Sequence, residues 1–125
     1  MHEFSIAGRL VELVRERVRD AGGGRVTAVT LRIGDLTSVH DGSLRFSFDL
    51  MRAGTPLADA ELRIVRVPVT IHCPTCRRDV ELPGIQRLVC PICGEPGGDV
   101  RAGRELDLES IELGGEPAAS GGTAS

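Results

Sequence analysis

A chain of 125 residues with 41% apolar content can close one compact core and is too short for a multidomain enzyme. Aromatics are 2%, namely Phe4, Phe46 and Phe48, and all 15 cationic residues are arginine at a formal net charge of -3, which excludes a ring-stacking surface and leaves no basic groove for nucleic acid. No apolar run approaches the roughly 18 residues of a membrane span, and Met1-His2-Glu3-Phe4 places an acid where a signal peptide carries positive charge, so the expected compartment is the reducing cytoplasm.

From Phe4 to Ala21, the residues Ile6, Leu10, Val14 and Val18 recur at helical spacing with Val11 and Leu13 beside them and charged residues between. This predicts an amphipathic helix, started by Ser5 or a neighbour and stopped at Gly22-Gly23-Gly24. Thr27, Val29, Leu31 and Ile33 then alternate with Ala28, Thr30 and Arg32, the pattern of a strand ending at Gly34. Asp35 to Gly42 reads as a polar loop. The next stretch is ambiguous: Leu44, Phe46, Phe48 and Leu50 alternate as in a strand, while Leu44, Phe48 and Met51 share a helical face that Asp41 or Ser43 can cap. Periodicity alone slightly favours a strand here, whereas the length to Ala53 suits a helix. After the break at Gly54-Thr55-Pro56, Leu62, Ile64 and Val67 predict a second strand.

Pro68 opens a stretch of different texture, reaching Gly103, with both cysteine pairs and no helical period. Strand character returns from Glu105 to Leu113, where Leu106 and Leu108 lie in one phase and Ile111 and Leu113 in the other, as a bulge would produce. The organisation predicted is an α+β domain over residues 1–67 and 104–113, a cysteine-rich module inserted at 68–103, and a disordered glycine-rich tail at 114–125.

Cys73-Pro-Thr-Cys76 and Cys90-Pro-Ile-Cys93-Gly94 form two Cys-x2-Cys knuckles separated by thirteen residues. A two-residue gap lets a tight turn aim both sulfurs at one ion, and an intervening strand pair brings the second knuckle opposite the first. The expected result is one tetrahedral four-sulfur site, suited to Zn(II), with iron open in the same geometry. Two redox-active disulfides are the rival reading, weakened by the lack of a thioredoxin-like strand-to-helix context. A site closed by four thiolates has no room for substrate, so its expected role is structural. His72, next to Cys73, reads as an exposed strand histidine or as a neighbour of that site.

Residue 2 carries a different chemistry. His2 is too large to permit ready removal of Met1, so the α-amine, the His2 amide nitrogen and the His2 imidazole can close fused chelate rings on one ion, with Glu3 adding oxygen. Three nitrogens of this kind suit tetragonal Ni(II) or Cu(II), and loading weakens as protons compete for the amine and imidazole. His40 in the loop can approach the same place or face solvent, and solvent is the expectation for an isolated loop histidine.

Taken in order, Met1-His2-Glu3-Phe4-Ser5, Arg25-Val26-Thr27, Arg32-Ile33-Gly34, Leu44-Arg45-Phe46-Ser47-Phe48, the two cysteine pairs and Arg104-Glu105-Leu106 resemble the HypA/HybF family of hydrogenase nickel-incorporation proteins. The resemblance runs from Met1 to about Leu113. It implies two helices on a three-stranded sheet with an inserted zinc-ribbon-like module, which makes Ser43 to Ala53 a helix. It also implies nickel at Met1 and His2 with Glu3 nearby, and zinc at Cys73, Cys76, Cys90 and Cys93. Family members work with the GTPase HypB to deliver Ni(II) to the precursor of the [NiFe]-hydrogenase large subunit, and in some organisms to urease. His40 departs from the family, where an acid is commoner. The function so implied is that of a cytoplasmic nickel metallochaperone, not an enzyme; the alternative is a zinc-ribbon interaction or nucleic-acid module with an inert N-terminus.

Overall fold

The computed structural model describes residues 2–85 and 87–114. Met1, the side chain of His2 and residues 115–125 of the tail predicted over 114–125 lie outside the described residues. The elements run in the order α1 (His2–Asp20), β1 (Val26–Gly34), a 3-10 turn (Asp35–Thr37), α2 (Asp41–Met51), β2 (Glu61–Val67), β3 (Thr70–Cys73), β4 (Arg78–Glu81), β5 (Val100–Ala102) and β6 (Leu106–Leu113). They build two three-stranded sheets, ordered β2-β1-β6 and β4-β3-β5. The described residues divide into two compact units, one made of those up to Leu31, Val39–Ile64 and those from Leu108, the other of Arg32–Ser38 and Val65–Asp107. No described helix is long and apolar enough to cross a membrane.

In the first unit α1 buries Ala7, Leu10, Val11, Val14 and Val18, the stripe that its four-residue period dictates. Ser5 lies inside this helix rather than at its cap, because helical backbone begins at His2. The C-terminal stop is a Schellman motif: the Gly23 N–H donates to the Val18 carbonyl at 2.8 Å and the Gly22 N–H to Arg19 at 3.1 Å. Gly22 sits at φ 102°, a conformation that a side chain resists. Gly8 lets α2 approach α1, since a Cβ at that position would stand 3.2 Å from the Met51 sulfur.

Residues 41–51 form a helix, as the family resemblance implies and against the strand that alternation favours. The inward face is Leu44, Ser47 and Phe48. Phe46 and Leu50, which created the alternating pattern, are 65% and 58% exposed on the outer side. The cap is His40 rather than Asp41 or Ser43: its Nδ1 accepts the Ser43 N–H at 3.3 Å. In the first unit β1 buries Val26, Ala28, Val29 and Leu31, alternate residues on both faces, as a central strand should.

The second unit has its own small core of Val69, Ile71, Cys73, Val80, Leu82 and Cys90. β3 pairs antiparallel with β4 in the register Ile71↔Val80, His72↔Asp79 and Cys73↔Arg78. On its other side β3 pairs with β5, with a register shift that leaves Arg101 as an extra residue. The chain between the second knuckle and β5 packs tightly on β3, where the His72 N–H donates to the Asp99 carbonyl at 2.8 Å. Only glycine fits at 98, since a Cβ would lie 2.2 Å from the His72 carbonyl oxygen.

Candidate metal centre

The two knuckles are built alike. In the first, the Arg77 N–H donates to the Cys73 carbonyl at 2.7 Å and the Cys76 N–H points at the Cys73 sulfur at 3.3 Å. In the second, the Gly94 N–H donates to the Cys90 carbonyl at 2.8 Å and the Ile92 N–H to the Cys90 sulfur at 3.4 Å. Both turns are closed by a residue in the left-handed region, Arg77 at φ 59° and Gly94 at φ 79°. Glycine at 94 meets that demand freely, whereas arginine at 77 meets it under strain.

The two turns bring four sulfurs together. Cys73 and Cys93 Sγ are 3.5 Å apart, Cys76 and Cys90 Sγ 3.9 Å, and all four lie within 4.8 Å of one another. Four sulfurs bound at about 2.3 Å to one ion stand about 3.8 Å apart at the edges of a tetrahedron, so this set fits a single tetrahedral ion. The four are placed as the spacing predicts, and none forms a disulfide. Cys73 and Cys90 are buried in the small core, Cys76 is half-buried and Cys93 is exposed.

The thiols differ in acidity. The Cys93 backbone N–H, opposed by burial and helped by the Ile92 amide, pulls Cys90 down to about 6. Burial, followed by the neighbouring sulfurs of Cys93, Cys90 and Cys73, pushes Cys76 up to about 12. Cys93 is drawn down by the Glu95 amide, but desolvation and the sulfurs of Cys73 and Cys90 outweigh it and leave the thiol raised. Neighbouring thiols cannot all shed protons without a cation among them.

His72 does not join the sulfurs. Its Nδ1 lies 2.9 Å from Asp79 Oδ1 across the β3–β4 pair, and Arg101 Nε is 3.5 Å from the same oxygen. Cross-strand register, invisible in the sequence, turns this histidine toward an acid and away from the knuckles.

At the other end of the sequence, Glu3 is half-buried in the first turn of α1, and its Oε2 accepts the His40 backbone N–H at 2.9 Å. His40 is therefore exposed, as expected of it, yet it has two tasks: its ring caps α2 and its main chain holds Glu3. The His-Asp-Gly-Ser run before a helical face was the available signal for the cap; nothing in the sequence pairs residue 40 with residue 3.

Comparison with known proteins shows the family of the chain. The chain matches over residues 1–113 the family described as "Hydrogenase/urease nickel incorporation, metallochaperone, hypA". It is 48% identical over 112 residues to the hydrogenase maturation factor HypA of Chloroflexus aggregans, covering 90% of this chain and 98% of that one. With its counterpart in Deinococcus radiodurans it shares 41% identity over 108 residues, 86% and 89% of the two chains. The solution structure of a HypA protein superposes at a TM-score of 0.69 with 25% identity, over 93% of this chain and 98% of that one. The solution structure of the Ni metallochaperone HypA from Helicobacter pylori has the same fold, with a TM-score of 0.62 and 23% identity over 89% and 96% of the chains. The chain thus belongs to the HypA family of hydrogenase/urease nickel-incorporation proteins, which are metallochaperones and not enzymes.

Proposed function

We propose that this chain binds Ni(II) at residues 1–3 and delivers it to the precursor of a [NiFe]-hydrogenase large subunit, working with a HypB-type GTPase in the reducing cytoplasm, and with urease maturation proteins where a urease is present. The observation that carries the reading is the setting of Glu3, whose carboxylate is tethered by the His40 N–H beside the start of α1. Amides in the first turn of a helix have no intrahelical acceptor, so the His2 amide nitrogen can give up its proton to a metal without breaking the helix. With Met1 as the terminal residue, its amine, the His2 amide and the His2 imidazole supply nitrogens that suit a tetragonal Ni(II). A cation at a helix N-terminus is opposed by the helix dipole, and the Glu3 carboxylate offsets that opposition. Such a site is open on one side and exchanges its metal, as a carrier requires.

The four cysteines do the opposite work. Zn(II) is the ion their softness and tetrahedral spacing favour, held by Cys73, Cys76, Cys90 and Cys93 with no position left for cargo. In this reading residues 1–67 with 104–113 form the nickel domain and residues 68–103 the zinc domain. A nickel titration of the untagged chain, of His2→Ala and of a chain extended ahead of Met1 tests the assignment. Tight 1:1 binding by the untagged chain alone is expected, and equal binding by all three overturns it.

A further inference from the structure

The four cysteines differ in what covers them and in which sulfur each one faces. Cys73 Sγ stands 3.5 Å from Cys93 Sγ, and Cys76 Sγ stands 3.9 Å from Cys90 Sγ. Both pairs run from one knuckle to the other, and neither is the Cys-x2-Cys pairing that the spacing in the sequence suggests. Each pair also joins a more open sulfur to a buried one, exposed Cys93 to buried Cys73 and half-buried Cys76 to buried Cys90. Within a knuckle the turn sets a main-chain N–H against the first sulfur: Cys76 N–H on Cys73 Sγ at 3.3 Å and Ile92 N–H on Cys90 Sγ at 3.4 Å. A disulfide is about 2.05 Å long, so each crossed pair closes by a movement of less than about 2 Å, which side-chain torsions can supply.

We propose that the four-cysteine site is also a peroxide-responsive switch, which closes the crossed disulfides Cys73–Cys93 and then Cys76–Cys90 and so gives up its metal while keeping its fold. This rests on the reading of the four cysteines as one metal site, and not on where nickel binds. A sulfur that ligates a cation is unprotonated, the form that attacks a peroxide. Exposed Cys93 meets the oxidant first: its thiolate attacks one peroxide oxygen, the O–O bond breaks, hydroxide leaves and a sulfenic acid forms. The Cys73 thiolate then attacks the Cys93 sulfur and displaces a second hydroxide, so two electrons pass from two thiolates to one hydrogen peroxide. Cys76 and Cys90 repeat the step with a second peroxide. After the first bond only two thiolates remain as ligands, and after the second none.

The fold persists because of where the bonds fall. Cys73 ends β3 and lies with Cys90 in the small core beside Val69, Ile71, Val80 and Leu82. Crossed bonds, joining residues 20 and 14 apart in sequence, tie the two knuckles to each other as a shared ion would. A bond within one knuckle spans only its own turn and leaves the knuckles untied. Longer loops also restrict the unfolded chain more, so the crossed pairing contributes the greater stability. Thiol reductants reverse both bonds and return the ligands.

The test treats the untagged full chain, loaded with zinc, with one and then two equivalents of hydrogen peroxide. Released zinc is read with a chromophoric chelator, and the remaining thiols are alkylated before digestion with trypsin. Cleavage after Arg77, Arg78 and Arg87 separates the knuckles, so a crossed bond joins two peptides and a bond within a knuckle joins none. At the first equivalent the expected product is the Cys73–Cys93 link, with dimedone trapping a sulfenic acid on Cys93 in a parallel sample. At the second, both crossed links and complete zinc release are expected, with amide exchange still slow at Ile71 and Val80. Zinc and a thiol reductant should restore the starting state. Bonds within the knuckles, sulfinic acids in place of disulfides, or four free thiols after excess peroxide overturn the proposal. So do first trapping on another cysteine and loss of protection at Ile71 and Val80 in the linked chain. Zinc content before oxidant is added tests the metal reading separately, and the linkage map decides the pairing whatever that content is.

Discussion

Leu44, Phe48, Val14 and Val29 fill the middle of the first unit with apolar side chains alone, whereas at the same depth the second unit has Val69, Ile71 and two cysteines, Cys73 and Cys90. The first unit has a 19-residue helix and an 11-residue helix to bury. The strands of the second are three or four residues long, and its carbonyls and thiols are organised by knuckle turns. In the proposed reading a short-stranded module with a core of that size closes on an ion held by its four cysteines, since metal ligation adds the folding free energy that apolar area cannot. The lesson concerns lability. Metal that holds a fold together is poor cargo, so a carrier that also needs a structural ion keeps the two at separate places with opposite coordination chemistry.

The largest effect that bears on this contrast is expected from Cys73→Ser. Ligation of a structural zinc is worth about 10–16 kcal/mol in small modules, so losing one buried thiolate should unfold the second unit. Amide exchange should then become fast from Val69 to Ala102 and stay slow along α1; collapse of both regions together would break the contrast. Phe48→Ala should act on the other side. Truncating a fully buried phenylalanine costs about 3–5 kcal/mol, lowering the melting point of the helical unit while the bound zinc, read by elemental analysis, is retained.

The acidity of the thiols sharpens the contrast further. At pH 7 Cys76, pushed up to about 12, keeps its proton, whereas Cys90, drawn down to about 6, has lost most of its own. Metal loading must expel the protons that the thiols still hold, so affinity rises with pH. Below the Cys90 value of about 6 its proton competes as well, and the fall in affinity steepens as pH drops. Competition with a chromophoric chelator between pH 5 and 8 measures both slopes; a pH-independent affinity would contradict the assignment of thiol states. The smallest effect is expected at Arg77. Its left-handed backbone costs a non-glycine residue about 1 kcal/mol, so Arg77→Gly should raise zinc retention and thermal stability modestly without altering the first unit.

Much of this architecture is legible in the sequence, and the failures have physical causes. Helix α1 shows itself because its buried stripe is entirely apolar and capped by consecutive glycines. The knuckles are legible because two-residue spacing is a geometric requirement of chelation. Helix α2 is obscured: a serine, Ser47, sits on its buried face while Phe46 and Leu50 sit outside, so burial and hydrophobicity part company. Only resemblance to a family recovers it. In β6 the half-buried residues are Leu108 and Ile111, three apart, in keeping with the change of phase in the sequence, while Leu106 and Leu113 are exposed. The tie between Glu3 and His40, and the turn of His72 toward Asp79, join residues that no local pattern connects. Those contacts depend on how the helices and strands are registered, which single-chain periodicity does not encode.

The most direct test of the division of labour is a chelator challenge. The chain, loaded with both zinc and nickel, is exposed at neutral pH to a competing chelator, and both metals remaining on the protein are followed by elemental analysis, alongside a variant carrying two extra residues ahead of Met1. The account predicts that nickel leaves the native chain within the early time points while zinc stays, and that the extended variant holds zinc but never loads tight nickel. Loss of both metals at one rate, or tight nickel in the extended variant, would contradict it.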